Sequence, residues 1–442
     1  MSSNVNGRTH YLEIQPSNVK SNGKVSYRDG NPVIEFIIGE QNTYLLGQTL
    51  RLAGNIQVYK TDDTYATSAD NINVSPKLGM LGAIDQIVLS SQRNKSVIEH
   101  IRHFGRWASS YYGNVASKGE TLTHLNETTG MMANPLAQKI SFTANQNGAS
   151  QTSAEYDGNS FCVPLTTGLL SSSDPVPLSA QWGIGGLNLA IHLTPDSQFL
   201  FAPTLGNAYY ELSNLKLICE VVEPAVDELS RLMSQSSGAM SYNAITSYYT
   251  SINSTFATIN FNLALSNVLS VFLNFIPSNY LNNLAYDGFQ TTPLMNGATE
   301  VAPITQMVIT RGGQKIGFEY NLDANVRDNA SSTIADPQLV RFYMNAFNKF
   351  MDSKKSQLSP HTTFRKLNST SANTHYPEGG QFFGLGIAFD NVSGDGVAFQ
   401  SGNNFGVNLE TGLTNDNPHA TFIFVRSKQT LAFTPNGLQV VS

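Results

Sequence analysis

The sequence is poor in charge. Asp, Glu, Lys and Arg make up 13% of its 442 residues, about half of the ~25% usual in soluble domains. Net charge is −6, and no run of Lys or Arg interrupts the chain. A groove that neutralises phosphates needs clustered cations, so no sequence-specific nucleic-acid binding is expected. Near the N-terminus Arg8, Lys20, Lys24 and Arg28 stand against Glu13 and Asp29, too small an excess for a nucleic-acid arm.

Cysteine and tryptophan are scarce too. Cys162 and Cys219 are the only cysteines. Neither lies in a C-x-x-C motif, so two buried free thiols are expected, as in a chain folded in a reducing compartment. Trp107 and Trp182 are the only tryptophans, too few for an exposed sugar-stacking platform. No apolar run reaches the ~18–20 residues of a membrane span. No apolar stretch follows Met1, so no signal peptide is expected. The seven Asn-x-Ser/Thr sequons, from Asn73 to Asn391, fit chance in a chain rich in these residues.

Asn, Ser, Thr, Gln and Gly take the place of the missing charge. Amides and hydroxyls cost less to desolvate than ions, so such a surface suits protein–protein contact. It equally suits any loop-rich β protein. Aromatic residues at 10% and clear apolar periodicity exclude a disordered chain.

Most of the periodicity has the step of two that marks strands. Val33–Ile38 is a short β-branched run ended by Gly39. Leu50–Leu52 and Ile56–Tyr59 follow, with Gly54 between them. Leu187, Leu189, Ile191 and Leu193 alternate with Asn188, Ala190 and His192. Leu215, Leu217 and Cys219 share one side of a strand within 213–222. Ile259–Leu265 and Val271–Phe275 open a second half. Ile304–Thr310 and Lys315–Tyr320 read as a hairpin, because Gly312 and Gly313 supply the positive φ of a tight turn. The C-terminal strands lie over Phe382–Phe389, Val397–Gln400, Gly406–Leu409, Ala420–Val425 and Thr430–Phe433.

Two segments read as helices. Lys95–Tyr112 places Val97, Ile98, Ile101, Phe104, Ala108 and Tyr111 at helical steps. Asp336-Pro337 caps and opens the other, with Leu339, Phe342, Tyr343, Phe347, Phe350 and Met351 on one face. Strands, one helix and long loops thus recur in both halves, which predicts an all-β chain with a few helices built as two tandem sandwiches or jelly rolls. The expected divisions are an irregular N-terminal arm at 1–31, a first sandwich at 32–225, a polar linker at 226–245 and a second sandwich at 246–442. Loops at 113–160, 276–303 and 353–380 exceed ordinary connections and are expected to form contact surfaces.

No catalytic constellation emerges. His100 and His103 stand three apart on the first expected helix, but no third metal ligand accompanies them. Asp390–Gly396 lacks the alternating acids of a calcium loop. Asp62-Asp63 lacks an opposing carboxylate that sequence can locate. Gly183–Gly186 reads as a turn before a strand. No catalytic residue, cofactor or metal site is therefore expected.

The stretch Phe161-Cys162-Val163-Pro164-Leu165-Thr166-Thr167-Gly168-Leu169-Leu170-Ser171, with Val176-Pro177-Leu178, Leu187–Leu193 and Tyr210-Glu211-Leu212-Ser213-Asn214-Leu215, resembles the end of the first jelly roll in double jelly-roll major capsid proteins. The likeness is to those of virophages and polinton-like viruses. Gly312–Tyr320 is similar to a segment of their second half, with Gly317 where that family tends to have Pro and Lys315 where Arg is usual. The resemblance implies a structural, non-enzymatic subunit of an icosahedral DNA virus. It implies a homotrimer, a pseudo-hexameric capsomer, with neighbouring capsomers, penton and minor capsid proteins as partners and the virion shell as its place. The alternatives are a secreted β-sandwich that binds or cleaves glycans, and a penton or spike protein.

Overall fold

Val33–Ile38 alternates buried Ile34, Phe36 and Ile38 with outward Glu35 and Ile37. That is the pattern of a strand with one face on a core. In a computed structural model of the chain, such strands account for most of the described residues. These are 7–19, 23–30, 32–66, 70, 72–75, 78–115, 140–141, 159–202, 205–234, 237–289, 291, 304–316, 320–321, 384–389, 396–400, 403–411, 418–434 and 437–441.

The first half contributes β1 (Gly7–Ile14), β2 (Val33–Ile38), β3 (Tyr44–Lys60), β4 (Ile84–Ser91) and β5 (Val97–Ile101). It continues with β6, in two pieces at Asn159–Pro164 and Val176–Pro177, then β7 (Leu187–Leu193) and β8 (Ala208–Pro224). They form two antiparallel sheets, ordered β1-β8-β3-β6 and β2-β7-β4-β5. The second half contributes β9 (Gly238–Ile252), β10 (Phe256–Phe261), β11 (Val268–Pro277) and β12 (Ile304–Arg311). Then come β13, in two pieces at Gln314–Lys315 and Tyr320–Asn321, β14 (Gly384–Ala388), β15 (Phe405–Thr411) and β16 (His419–Thr434). Their sheets run β9-β16-β11-β14 and β10-β15-β12-β13. Each of these eight first-half strands therefore has its counterpart eight strands later; among the described residues, the short strands Val25–Ser26, Asn73–Val74, Ile140–Ser141 and Leu200–Phe201 of the first half and Gly437–Val441 of the second stand outside this repeat. Both halves follow the interleaved order of a jelly roll.

Several expectations from sequence need correction. The expected irregular arm is in part β1, which pairs from Gly7↔Pro224 to Ile14↔Leu217. Only Leu12 and Ile14 lean on the core while Arg8, Tyr11 and Glu13 face out, so an edge strand has the composition of a loop. Residues 23–30 are tied to the same roll. Lys24 Nζ reaches Tyr59 Oη at 2.8 Å and Glu211 at 2.9 Å, and the Arg28 guanidinium lies 4.0 Å from the Tyr209 ring centroid.

The expected linker at 226–245 is a helix, α2 (Val226–Met233), followed by the start of β9. β9 pairs without a break from Gly238↔Phe433 to Ile252↔His419. Its outward Ser241 and Asn243 alternate with buried Met240, Tyr242 and Ala244, which mimics a linker in composition. Gly54 does not divide two strands either. It lies inside β3, where a Cβ would stand 2.9 Å from Leu215 Cδ2 and 3.0 Å from Ser213 O. The partner strand bulges there, with Asn214 at φ 50°.

The helix expected over Lys95–Tyr112 splits in two. Val97–Ile101 is β5, and the helix α1 spans Phe104–Val115. His103, at φ 56°, turns the chain between them. Five residues rich in Val and Ile satisfy helical and strand periodicity alike, and pairing with β4 decides. The helix opened by Asp336, the 353–380 loop and Asp390–Asp395 lie outside the described residues.

Candidate functional site: the seam between the sandwiches

β11 reads VLSVFLNFIP and is buried at every position. In an antiparallel sheet that means both faces are covered. Its own sandwich covers one face, and α1 of the first roll covers the other. Trp107, 1% exposed, sits 5.8 Å from the Phe272 ring and 5.7 Å from Phe424. Ser110 Oγ accepts from Asn274 Nδ2 at 2.5 Å. Phe422 and Phe424 lie two apart on β16, and Phe272 and Asn274 two apart on β11, so α1 lies along one continuous face.

Arg106 is 4% exposed and hydrogen-bonds the Gly288 carbonyl and, at 3.3 Å, Gln198 Oε1. Its guanidinium lies 4.4 Å from the Phe422 centroid and 5.2 Å from that of Phe289. Aromatic faces suit a weakly hydrated, delocalised cation. Burial lowers its pKa to about 10, so the charge persists at neutral pH.

The edges of two sheets, β5 and β9, meet beside α1. They are joined by side chains rather than by a ladder. Tyr242 Oη on β9 donates to the Ile98 carbonyl at 2.8 Å. The Arg102 amide donates to Ser247 Oγ at 2.9 Å. Glu99 on β5, 4% exposed, accepts from the amides of Gly168 and Leu169 at 3.0 Å each and from Ile245 at 2.8 Å. One carboxylate thus ties two segments of the first roll to the second. Burial pushes its pKa up, and the three amides and the Thr167 hydroxyl oppose that rise.

The loop after β11 completes the joint. The Ala202 amide donates to Leu284 O at 2.6 Å, and Gln198 Nε2 to Asn282 Oδ1 at 2.7 Å. The described part of the expected 276–303 contact loop therefore docks on its own first roll.

The remaining candidates occupy structural positions. His100 lies on β5 with Nε2 2.9 Å from Gln86 Oε1, and His103 Nδ1 faces Asp85 at 3.6 Å. Asp62 accepts from the Thr64 hydroxyl at 2.6 Å, and Asp63 from Tyr209 Oη at 2.8 Å. Gly185 and Gly186 have φ 69° and 80°, as their turn requires. Cys162 and Cys219 are free; Cys219 is buried but Cys162 only half-buried. Both tryptophans are enclosed, Trp182 at 4% exposure, so neither offers a face to a sugar. Sequence reasoning missed Glu99, Arg106 and the docking loop as the joint. The signal present was the run of buried-type residues in β11 and β16, too apolar for strands with one wet face.

No protein-family model matches the chain, and no curated protein matches its sequence. Solved structures do match over almost its whole length. The PBCV-1 virus capsid has a TM-score of 0.59 at 11% identity, covering 99% of this chain and 97% of that one. The Faustovirus major capsid protein has a TM-score of 0.57 at 8% identity, with 96% and 90% covered. The Sputnik virophage structure has a TM-score of 0.55 at 11% identity, with 99% and 89% covered. At such identities the likeness is one of fold. The chain is a double jelly roll, the architecture its sequence motifs resemble.

Proposed function

We propose that the chain is a major capsid protein, a structural block of an icosahedral shell around a DNA genome. The observation that carries this reading is the repetition of one jelly roll eight strands later, joined to the first by a buried, hydrogen-bonded seam. Two like-sized sandwiches packed side by side make a subunit with approximate two-fold repetition. Three such subunits around a three-fold axis would present six near-equivalent sandwiches, the pseudo-hexagon needed to tile a flat facet. The low charge and amide-rich surface favour such contacts. Neighbouring capsomers, a penton and minor capsid proteins would be its partners in the virion, and its role would be structural rather than catalytic.

The whole-length likeness to the capsid structures of PBCV-1, Faustovirus and Sputnik supports the reading. The alternative of a glycan-binding or glycan-cleaving sandwich is not favoured, because Trp107 and Trp182 are both enclosed. A penton built on one jelly roll would need no second one. Negative-stain imaging of the purified chain tests the proposal: hexagonal outlines are expected, and a field of isolated two-lobed particles would contradict it.

A further inference from the structure

The seam treats the two rolls unequally. The first roll lends the helix α1 and the edge strand β5. The second receives them on the edge strand β9 and on the outer face of β11 and β16, through Tyr242, Ile245, Phe272 and Phe424. In the repeat, β9, β11 and β16 correspond to β1, β3 and β8. We propose that this corresponding edge and face of the first roll dock the second roll of another copy of the chain, so that the contact between chains repeats the seam within one. The inference rests on the capsid reading, which supplies the ring of three.

The two faces are alike in place and unlike in cover. On the second roll Phe272 lies opposite Phe424 and Asn274 opposite Phe422, and α1 encloses them. On the first roll Arg51 lies opposite Ile218 and Ala53 opposite Lys216. All four are half-buried, whereas Leu52, Leu217 and Cys219 beside them point into the core. β1 adds Tyr11, 71% exposed and opposite Glu220, and Glu13 opposite Ile218. Glu13 meets Lys216 at 3.1 Å, both side chains partly in solvent. Among the described residues β1 pairs with β8 alone, so its outer edge is open, as that of β9 would be without β5.

The chemistry of the two faces differs as their histories require. A seam within one chain forms on folding and can be aromatic. A face that stands in water until another chain arrives must stay soluble, and Ala53 and Ile218 set among Arg51, Lys216, Glu13 and Glu220 meet that need. The occupant is a copy of this chain because the seam is head-to-tail: the surface that one roll lends differs from the surface that receives it. Such a contact, once repeated, closes into a ring or runs on as a filament. In chain order α1 follows β5. The sequence after β13 includes 336–351, with apolar residues at helical steps, outside the described residues.

Native mass and photocross-linking of the full chain test the docking. The double variant Tyr11→Lys, Ala53→Glu sets each new charge beside an opposite one, Glu220 and Lys216, so the fold is retained while the face gains two charges. Its native mass should fall from three times 48.0 kDa to one. Ile37→Asp, on the outer face of β2 and 42% exposed, should leave it at three. With Tyr11 replaced by benzoylphenylalanine, irradiation should join residue 11 to a second-roll peptide of another copy, identified by mixing isotopically light and heavy chains. The docking is overturned by a folded double variant that stays trimeric, by an Ile37→Asp variant that dissociates as well, or by cross-linking that never reaches the second roll of another copy. Each of these leaves the capsomer standing. A wild-type chain that is not trimeric contradicts the capsomer itself, and the docking with it. If the double variant does not fold, the cross-link decides.

Discussion

Phe289 of the second sandwich fills the space that a side chain at Gly105 of the first would need. A Cβ on Gly105 would lie 2.7 Å from Phe289 Cε1, and one on Gly82 would lie 3.0 Å from Cε2. The ring is buried beside Arg106 and Phe199. Two glycines and an aromatic ring thus make a socket and knob across the seam. Phe289→Ala should cost about 3–5 kcal/mol, as removal of an enclosed aromatic does. Gly105→Ala should destabilise too, by overpacking the same socket. The double variant should be less destabilised than the sum of the singles, because each relieves the other. Urea unfolding of the four chains checks this; strict additivity would separate the two residues.

Gly168 is the stricter position. A Cβ there would meet Asn243 O at 2.1 Å and Glu99 Oε1 at 2.6 Å. The first is backbone and cannot swing away, so Gly168→Ala must part the segment around residue 168 from β9 and crowd the Glu99 carboxylate beside it. We expect a loss of soluble yield or a large drop in Tm. Gly39→Ala, with nothing within 4 Å of the added carbon, should be close to neutral. Thermal melts of the pair give the contrast.

The two strand phenylalanines should differ. Phe272 is fully enclosed against Trp107, and Phe272→Ala should cost about 3–5 kcal/mol. Phe261 ends β10, half-buried, with the Tyr248 and Phe405 rings at 5.1 and 5.0 Å. The alternation of 259–265 suggests a core position for it, but the strand stops at Phe261 and Ala264 turns at φ 49°. Phe261→Ala should therefore cost about half as much. Denaturant midpoints at equal m-value check the ranking.

Thiol chemistry should follow burial. Desolvation pushes Cys219 up to about 12 and raises Cys162 less. The thiolate is the reactive form, so raising a thiol pKa slows its modification. At about pH 8 the folded chain should show one slowly reacting thiol, Cys162, and both should react in denaturant. Rapid reaction of Cys219 in the native chain would contradict its enclosure.

Elements that alternate cleanly were legible in the sequence. β7 is one, and the hairpin turn at Gly312 and Gly313, with φ 57° and 80°, is another. Elements whose role is set by neighbours were not. β1 is polar because it is an edge, and β9 because its outer face is wet. The seam was hidden for the same reason. Glu99 depends on amides of residues 168, 169 and 245, and no local pattern connects those positions. Trp107 could be placed on a helix, but not the face of the second roll that the helix covers.

The native mass of the purified chain, measured by light scattering, tests the proposed capsomer most directly. The account predicts three times the 48.0 kDa chain, unchanged on dilution, as an obligate trimer with several thousand Å² buried would behave. A stable monomer would leave the double jelly roll intact and contradict the capsomer.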